Sequence, residues 1–243
     1  MASQGKLAEP TPDIIRKLKE LFPPKSDPLP QPRANLSRPP PIVTAESLHK
    51  AMQKGVGCDS ACGALEMTGE LLEPLLQDSD IANSVVTFLN EMLRGTLPAP
   101  IATMVSAPRI IAVNKDDGGI RPIGMGDIFY KLAAYVGTKA IEPNLDGVFP
   151  RIQYGLGVRG GTQVAFHLIQ RAIEADDQSV CIKFDVKNAF NSRRRSSIGK
   201  AILDTPELHP IWPLFKLIYG PEMSVWCTTP KVSLLNASPS EKA

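Results

Sequence analysis

Eight prolines between Pro23 and Pro41 constrain the fold of this 243-residue chain more than any other feature. Proline lacks a backbone N–H and fixes φ, which excludes a helix or a central strand over this stretch. The composition favours polyproline II, as a spacer or alternatively as a ligand for an SH3-type domain. We therefore predict a disordered proline-rich arm over residues 1–43, interrupted by one short amphipathic helix from Asp13 to Phe22.

A helical region is predicted over residues 44–105, because apolar residues recur there at spacings of three and four. The expected helices cover residues 44–54, 65–76 and 80–94. For the last of these, Asp80 is the expected N-cap and Gly95 the expected stop.

Residues 106–243 alternate between strand and helix patterns, so the predicted fold class is α+β. A strand over 109–115 leads into the turn 116–119, which is rich in residues that tolerate positive φ. The return strand, 120–124, contains Pro122 and is therefore expected at a sheet edge. A helix over 127–141, a glycine-rich turn over 153–161 and a helix capped by Thr162 follow.

Residues 179–186 alternate strictly between apolar and polar side chains, which is typical of a half-buried strand. One face carries Val180, Ile182, Phe184 and Val186, and the other carries Cys181, Lys183 and Asp185. We expect the apolar face to contact the core and Asp185 to lie at the open end of the strand.

Charge and targeting signals narrow the class of protein. Lys plus Arg is 27 and Asp plus Glu is 25, a net charge of +2, whereas an autonomous nucleic-acid binder is usually more basic. The start lacks a signal-peptide pattern and no stretch is apolar enough to span a bilayer. We therefore expect an intracellular protein, with the nucleus as one option, and no membrane partner.

Four scattered cysteines favour a reducing compartment over a disulfide scaffold. Cys58 and Cys62 are four positions apart with His49 upstream, which does not match the spacing of a zinc site. His49, His167 and His209 are read as structural. Trp212 and Trp226 are read as apolar packing residues.

Two groups of residues could carry chemistry. Lys115 and Arg121 flank the hairpin turn, where the guanidinium fork and the ammonium could grip a triphosphate; the alternative is a solvated, charged hairpin. Asp185 could hold a divalent metal at the end of its strand; the alternative is a carboxylate that caps the next turn.

The order of these motifs resembles the reverse transcriptases of LINE-like, non-LTR retrotransposons. The matching segments are Lys115…Gly118-Gly-Ile-Arg-Pro-Ile123, Tyr130-Lys131, Gln153-Tyr-Gly-Leu-Gly157, Gly160-Gly-Thr162 and Phe184-Asp-Val-Lys-Asn-Ala-Phe-Asn-Ser192. The resemblance covers roughly Leu93 to Tyr219. It implies the fingers and an incomplete palm of a right-hand polymerase after the helical N-terminal region, and the activity of an RNA-directed DNA polymerase, a nucleotidyltransferase.

The resemblance also implies roles for individual residues. Asp185 corresponds to the first catalytic, metal-binding aspartate of the palm, with the carbonyl of Val186 as a further ligand of Mg²⁺. The family uses two more carboxylates, an Asp-Asp pair on a later hairpin, and none occurs after Asp185. The chain is therefore expected to be a truncated form that is inactive alone.

The substrate-binding residues follow from the same resemblance. Lys115 and Arg121 correspond to finger residues that hold the incoming dNTP. Phe190 corresponds to the steric gate beneath the sugar, where an apolar ring disfavours a 2′-hydroxyl. Gln153 lies in a region close to the template strand. The implied partners are an RNA template, a DNA primer and a dNTP.

Two other functions are open at this point. One is a catalytically dead remnant that at most binds nucleic acid, which the missing carboxylates and the low net charge favour. The other is a host protein that kept the fingers and the helical region as an interaction module. The Arg193-Arg-Arg195 run fits phosphate contact or a solvated helix start equally well. The oligomeric state is left open.

Overall fold

The computed structural model describes residues 6–21, 28–33, 35–56, 60–149, 153–155, 158–186, 193–220, 224–227 and 233–236. The helices are α1 (Pro12–Leu21), α2 (Ala45–Gly55), α3 (Gly69–Leu75), α4 (Ser79–Arg94), α5 (Ala99–Ser106), α6 (Ile128–Ile141), α7 (Gly161–Ala175), α8 (Arg195–Asp204) and α9 (Trp212–Tyr219). Two 3₁₀ turns cover Glu142–Gly147 and Pro206–Ile211. The strands are β1 (Arg109–Asn114), β2 (Ile120–Met125), β3 (Ser224–Cys227) and β4 (Ser233–Asn236). Among the described helices, none is both long and apolar enough to cross a membrane.

The main core lies between helices. The main helices pack around a single apolar cluster, to which α2, α4, α6 and α9 all contribute. Leu89, Leu93 and Leu132 are fully buried in it. Phe88 and Phe129 meet edge to face across this cluster, with ring centroids 5.3 Å apart. The periodic apolar residues of α4 and α6 thus pack as their spacing predicts.

The sheet has the order β2-β1-β3-β4. β1 and β2 form the predicted antiparallel hairpin, in which Val113 pairs with Arg121 and Asn114 with Ile120. β3 runs parallel to β1. β2 occupies the sheet edge, as Pro122 requires because proline cannot donate to a further strand.

Helix α4 begins one residue earlier than predicted. Its N-cap is Asp78, whose Oδ1 accepts hydrogen bonds from the backbone N–H of Asp80 (2.8 Å) and of Ile81 (3.1 Å). Asp80 lies inside the first turn, so its prediction as the cap is wrong. Gly95 ends the helix in the left-handed region with φ of 70°, as predicted.

The prediction of a disordered N-terminal arm is wrong for several described parts of residues 1–43. Lys6 and Ala8 bond to β1, through Ala8 N–H to Ala112 O and Asn114 N–H to Lys6 O, both 2.9 Å. α1 follows, and Leu18 is buried against the hairpin. The apolar face of α1 therefore packs against the β1–β2 hairpin, which the sequence of α1 alone does not predict.

Described residues within the proline-rich stretch and directly after it also pack against the helices. Val43 is buried. Ser37 bonds to the imidazole Nδ1 of His209, with Oγ 2.9 Å and backbone N 3.1 Å away, and Leu36 packs beside Trp212. Apolar residues among the prolines therefore anchor the segment. His209 thus links this segment to the 206–211 turn by hydrogen bonds, and Trp212 is buried.

The strand predicted over residues 179–186 is absent. These residues form no strand and are all exposed, with 80% of Val180 and 86% of Phe184 accessible to solvent. Within the described part of the chain, no partner strand satisfies their backbone and no apolar surface covers their side chains. The alternation of apolar and polar residues favours a strand, but a strand forms only where a neighbouring strand can accept and donate its backbone hydrogen bonds.

Helix α7 also differs from its prediction. It begins at Gly161, after Gly160 in the left-handed region with φ of 68°, and none of the described side chains caps it. Thr162 therefore lies in the first turn and is not the cap. Most of its large apolar residues are exposed, namely Val164, Phe166, Leu168, Ile169 and Ile173.

Candidate functional site

The tip of the β1–β2 hairpin brings Lys115 and Arg121 to one side. Both line a shallow depression of about 230 Å³, together with Val113, Asn114, Asp116 and Asp117. The strand register explains this, because Arg121 lies opposite Val113 and Lys115 lies two residues beyond Val113 on the same face. The prediction that the two cations flank a common hairpin tip therefore agrees with the structure.

The turn between them is closed by short backbone contacts. Lys115 N–H donates to Gly119 O at 2.9 Å, and Gly118 N–H donates to Lys115 O at 3.1 Å. Gly118 has φ of 77°, a conformation that side-chain-bearing residues rarely adopt. The sequence Asp116-Asp-Gly-Gly119 thus provides the backbone conformation that this tight turn needs.

The two faces of the hairpin have different environments. Ile110, Ala112 and Ile120 point toward α1 and are buried with Leu18. Arg121 points to the opposite face and is exposed. Because α1 covers only one face, the face that carries the two cations is open to a ligand.

The charges at the tip balance. Lys115 and Arg121 lie beside Asp116 and Asp117, and neither cation forms an ion pair within the described residues. Asp117 Oδ1 instead accepts a hydrogen bond from Gly119 N–H at 2.9 Å. An anion at this site would therefore be held by the direction of the two donors more than by an excess of positive charge.

Asp185 is exposed, as is Val186. Among the described residues, no three His, Cys, Asp or Glu side chains form a group that could hold a metal ion. In the part of the chain that the structure describes, Asp185 and the Val186 carbonyl therefore lack the further carboxylates that two adjacent Mg²⁺ ions need. Phe190, the predicted steric gate, and Cys58 lie outside the described residues.

Gln153 belongs to a close contact before α7. Its Oε1 accepts a hydrogen bond from Gly155 N–H. The carbonyl of Tyr154 lies against Gly161, where an added Cβ would overlap the carbonyl oxygen. The glycine at 161 is therefore a packing requirement, a role that the glycine-rich pattern alone does not distinguish from turn flexibility.

Asp127 is a buried polar residue whose environment the sequence does not reveal. Its side chain is inaccessible to solvent, Oδ1 accepts a hydrogen bond from Phe129 N–H at 3.1 Å, and Oδ2 has no partner among the described residues. Burial raises the pKa of Asp127, against the opposing effect of the backbone N–H of Phe129. Its position before α6 signals a cap, but only the fold buries it.

A second polar contact secures the same end of α6. Lys131 Nζ donates to Ser60 Oγ at 2.8 Å and also to the carbonyl of Ala61. Arg109 donates to Cys62 Sγ at 3.4 Å. These contacts attach the loop around residues 60–66 to α6 and to β1, beside Asp127.

The arrangement is that of a mixed helix-and-sheet protein in which a hairpin that carries Lys115 and Arg121 lies beside a helical core. The chain is similar to the retrotransposable element SLACS 132 kDa protein of Trypanosoma brucei gambiense, with 24% identity over 178 residues. The match covers 73% of this chain but only 15% of that protein's length. No protein-family model matches the chain. The similarity supports a retrotransposon-related function.

Proposed function

We propose that this chain functions in a retrotransposon-encoded RNA-directed DNA polymerase, in which it provides the fingers hairpin that holds the incoming dNTP. The fold assigned by this proposal is a right-hand polymerase, with fingers and part of the palm over residues 106–243. An RNA template and a DNA primer are the partners. The distant similarity to a retrotransposon protein supports the part of this proposal that relates the chain to a retrotransposon.

The observation that carries the proposal is the shared depression of Lys115 and Arg121. Two donors lie on the open face of a hairpin whose other face is packed against α1. The planar guanidinium can bond two phosphate oxygens at once, and the ammonium adds a point charge. Since α1 packs against the opposite face of the hairpin, the two donors are held at a rigid site rather than on a free loop.

The described residues support triphosphate binding better than metal binding. Asp185 provides one exposed carboxylate, and its role as a catalytic ligand of Mg²⁺ depends on further carboxylates. Phosphoryl transfer by two metal ions therefore cannot be assigned to these residues alone. In the complete polymerase Asp185 is a metal ligand, whereas the hairpin binds the dNTP independently of it.

A second candidate is a remnant that binds nucleic acid without catalysis. The observation that favours it is the absence, within the described residues, of any carboxylate cluster around Asp185. Arg193 and Arg194 are exposed beside the start of α8 and could contact phosphate. In this case the chain would bind RNA in a salt-dependent manner and would not extend a primer.

The test measures dNTP affinity and primer extension on the same preparations. Arg121→Ala is expected to weaken dNTP binding by about 10–100-fold, the range for losing a charged hydrogen-bond donor. Lys115→Ala is expected to weaken it less. Lys19→Ala is the matched control, because it removes one exposed positive charge from α1, which covers the other face of the hairpin.

The outcomes separate the two candidates. Extension on an RNA template that is lost in Asp185→Ala, with dNTP binding retained, supports the polymerase. RNA binding that weakens with salt, without extension and without dNTP affinity, supports the remnant. Equal dNTP affinity in the Arg121→Ala and Lys19→Ala variants would overturn the role of the hairpin.

A further inference from the structure

The direction in which the β1–β2 hairpin projects from the protein is decided at its base. Among the described residues, the apolar cluster that α1 shares with the hairpin has no residue in common with the helical core. Helix α1 therefore stiffens the hairpin, but this cluster does not attach it to that core. The attachment lies where β1 begins and β2 ends, at the cross-strand pair of Arg109 and Met125.

The loop 60–66 contacts the end of the hairpin that leads into α6. Gly63 lies so close to Asp127 that an added Cβ would be 2.5 Å from both its backbone N and its Cα. Lys131, in the first turn of α6, donates from Nζ to Ser60 Oγ at 2.8 Å. These two contacts fix the loop on the start of α6, directly after β2.

The same loop contacts the start of β1 through the side chain of Arg109. Its Nη1 donates a hydrogen bond to Cys62 Sγ at 3.4 Å and lies 3.9 Å from Glu66 Oε1. β3 pairs with the backbone of this part of β1, whereas the guanidinium reaches the loop. Arg109 thereby connects the first residue of β1 to a loop that is fixed on α6.

Glu66 has a strained backbone in this loop. Its φ of 57° lies in the left-handed region, and within the described residues no other residue except glycine has a positive φ. A residue with a Cβ adopts this region at a cost in free energy, and such residues are concentrated at functional sites. Glycine would adopt the same conformation without that cost. The strain therefore indicates that the carboxylate beside Arg109 has a role beyond closing the turn.

We propose that Arg109 is a positioning residue, which fixes the angle between the hairpin and α6 through its contacts with Cys62 and Glu66. Lys115 lies beyond the far end of β1, about 20 Å from Arg109 at about 3.3 Å per residue. Over that length, a rotation of about 5° at the base moves the hairpin tip by about 2 Å. A displacement of this size is enough to weaken a site whose donors must match the phosphate oxygens of a ligand.

The angle between the hairpin and α6 does not depend on the proposed function, whereas the effect of that angle on dNTP binding rests on it. Arg109 and the loop 60–66 lie at the base of the hairpin, and the dNTP is held at its tip by Lys115 and Arg121. The orientation of the hairpin and the affinity for dNTP are therefore measured separately.

The first measurement is the orientation of the hairpin in the whole chain, obtained from residual dipolar couplings of its backbone amides. The amides of α4 and α6 provide the reference frame. Arg109→Ala should rotate the hairpin by about 5° or more relative to that frame. Arg94→Ala is the matched control, because Arg94 is an exposed arginine at the end of α4. The same orientation in both variants would overturn the proposal, whether or not the chain binds dNTP.

Glu66→Gly separates positioning from a contribution to stability. It removes the carboxylate and relieves the strained backbone, so the midpoint of urea denaturation should stay the same or rise. Affinity for dNTP should nevertheless fall, as in Arg109→Ala, by about 3–10-fold, the size of an effect transmitted through neighbouring contacts. Affinity that follows stability across the variants would contradict the positioning role.

The outcomes distinguish this inference from the proposed function. If Arg121→Ala lowers dNTP affinity while Arg109→Ala and Glu66→Gly leave it unchanged, the hairpin binds dNTP without Arg109 and the positioning role fails. If Arg121→Ala also leaves the affinity unchanged, the proposed function fails, and the dipolar couplings decide whether Arg109 fixes the hairpin. A rotated hairpin together with lowered dNTP affinity in both variants supports the proposal.

Discussion

The side-chain amide of Asn90 bonds both backbone polar groups of Val43. Val43 N–H donates to Asn90 Oδ1 at 2.9 Å, and Asn90 Nδ2 donates to Val43 O at 3.0 Å. Val43 is only 2% exposed. A single residue of α4 therefore satisfies the buried backbone where the proline-rich segment joins the helical core.

Asn90→Ala should destabilise the chain by about 1–3 kcal/mol, because it leaves the buried N–H and C=O of Val43 without partners. Urea denaturation measures the free energy of unfolding. Asn83→Ala is the control, since Asn83 is an exposed residue of the same helix and should change stability by about 0.5 kcal/mol or less. Equal losses of unfolding free energy in the two variants would show that the hydrogen bonds between Asn90 and Val43 do not stabilise the chain.

Gly63→Ala should also destabilise the chain. An added Cβ would lie 2.5 Å from both the Cα and the backbone N of Asp127, so the loop or the start of α6 must shift, at a cost of about 1–3 kcal/mol. Gly124→Ala is the control, because its nearest new contact is 3.8 Å away. If the Gly63→Ala chain is as stable as the Gly124→Ala chain, the backbone around Gly63 and Asp127 can move apart at little cost in free energy.

Asp127 should make stability depend on pH. Burial raises its pKa in the folded state, so the folded chain binds this proton more tightly than the unfolded chain. The contribution of Asp127 to stability is then fully present below its unfolded pKa of about 3.9 and is lost as pH rises through the folded pKa. Asp127→Asn keeps the capping oxygen but removes the titration.

The measurement for this prediction is urea denaturation of the original chain and the Asp127→Asn variant at a series of pH values. As pH rises from about 3.9 through the folded pKa of Asp127, the original chain should lose stability relative to the Asp127→Asn variant. Other carboxylates cancel in the difference. A difference that is constant with pH would contradict the role assigned to burial.

Leu18→Ala should loosen α1 from the hairpin. Leu18 is buried with Ile110 and Ile120, and truncating a buried leucine removes about 2–5 kcal/mol of packing. Hydrogen exchange at the amides of Ala8 and Asn114 should therefore accelerate, since both bond across the Lys6–Ala8 and β1 contact. Leu7→Ala is the control, because Leu7 is 67% exposed and should leave these amides protected.

The local features of the fold followed well from the sequence. The hairpin was predicted from Asp-Asp-Gly-Gly and from Pro122, and the helices with strong apolar periodicity, α2, α4 and α6, lie within a few residues of their predicted bounds. The depression between Lys115 and Arg121 follows from strand register. The right-hand polymerase fold, the domain boundaries and the roles of Asp185, Phe190 and Gln153 remain predictions.

The sequence did not reveal which surfaces meet. α5 and α9 were not predicted, because short apolar helices such as Trp212–Tyr219 lack a polar face that would show helical periodicity. Residues 179–186 show the opposite case, where strong alternation occurs without a strand. A strand is completed by its neighbour, so its sequence alone does not establish that it forms.

The sequence by itself determined the turn, the capping and periodic segments and the positions of the two hairpin cations, because these depend on residues close along the chain. Only the tertiary structure decided that α1 covers one face of the hairpin and that Asn90 bonds Val43. It also decided that Asp127 is buried, with no hydrogen-bond partner for its Oδ2 among the described residues. Each of these depends on residues distant in sequence that come together through burial of apolar surface, which has no direction along the chain.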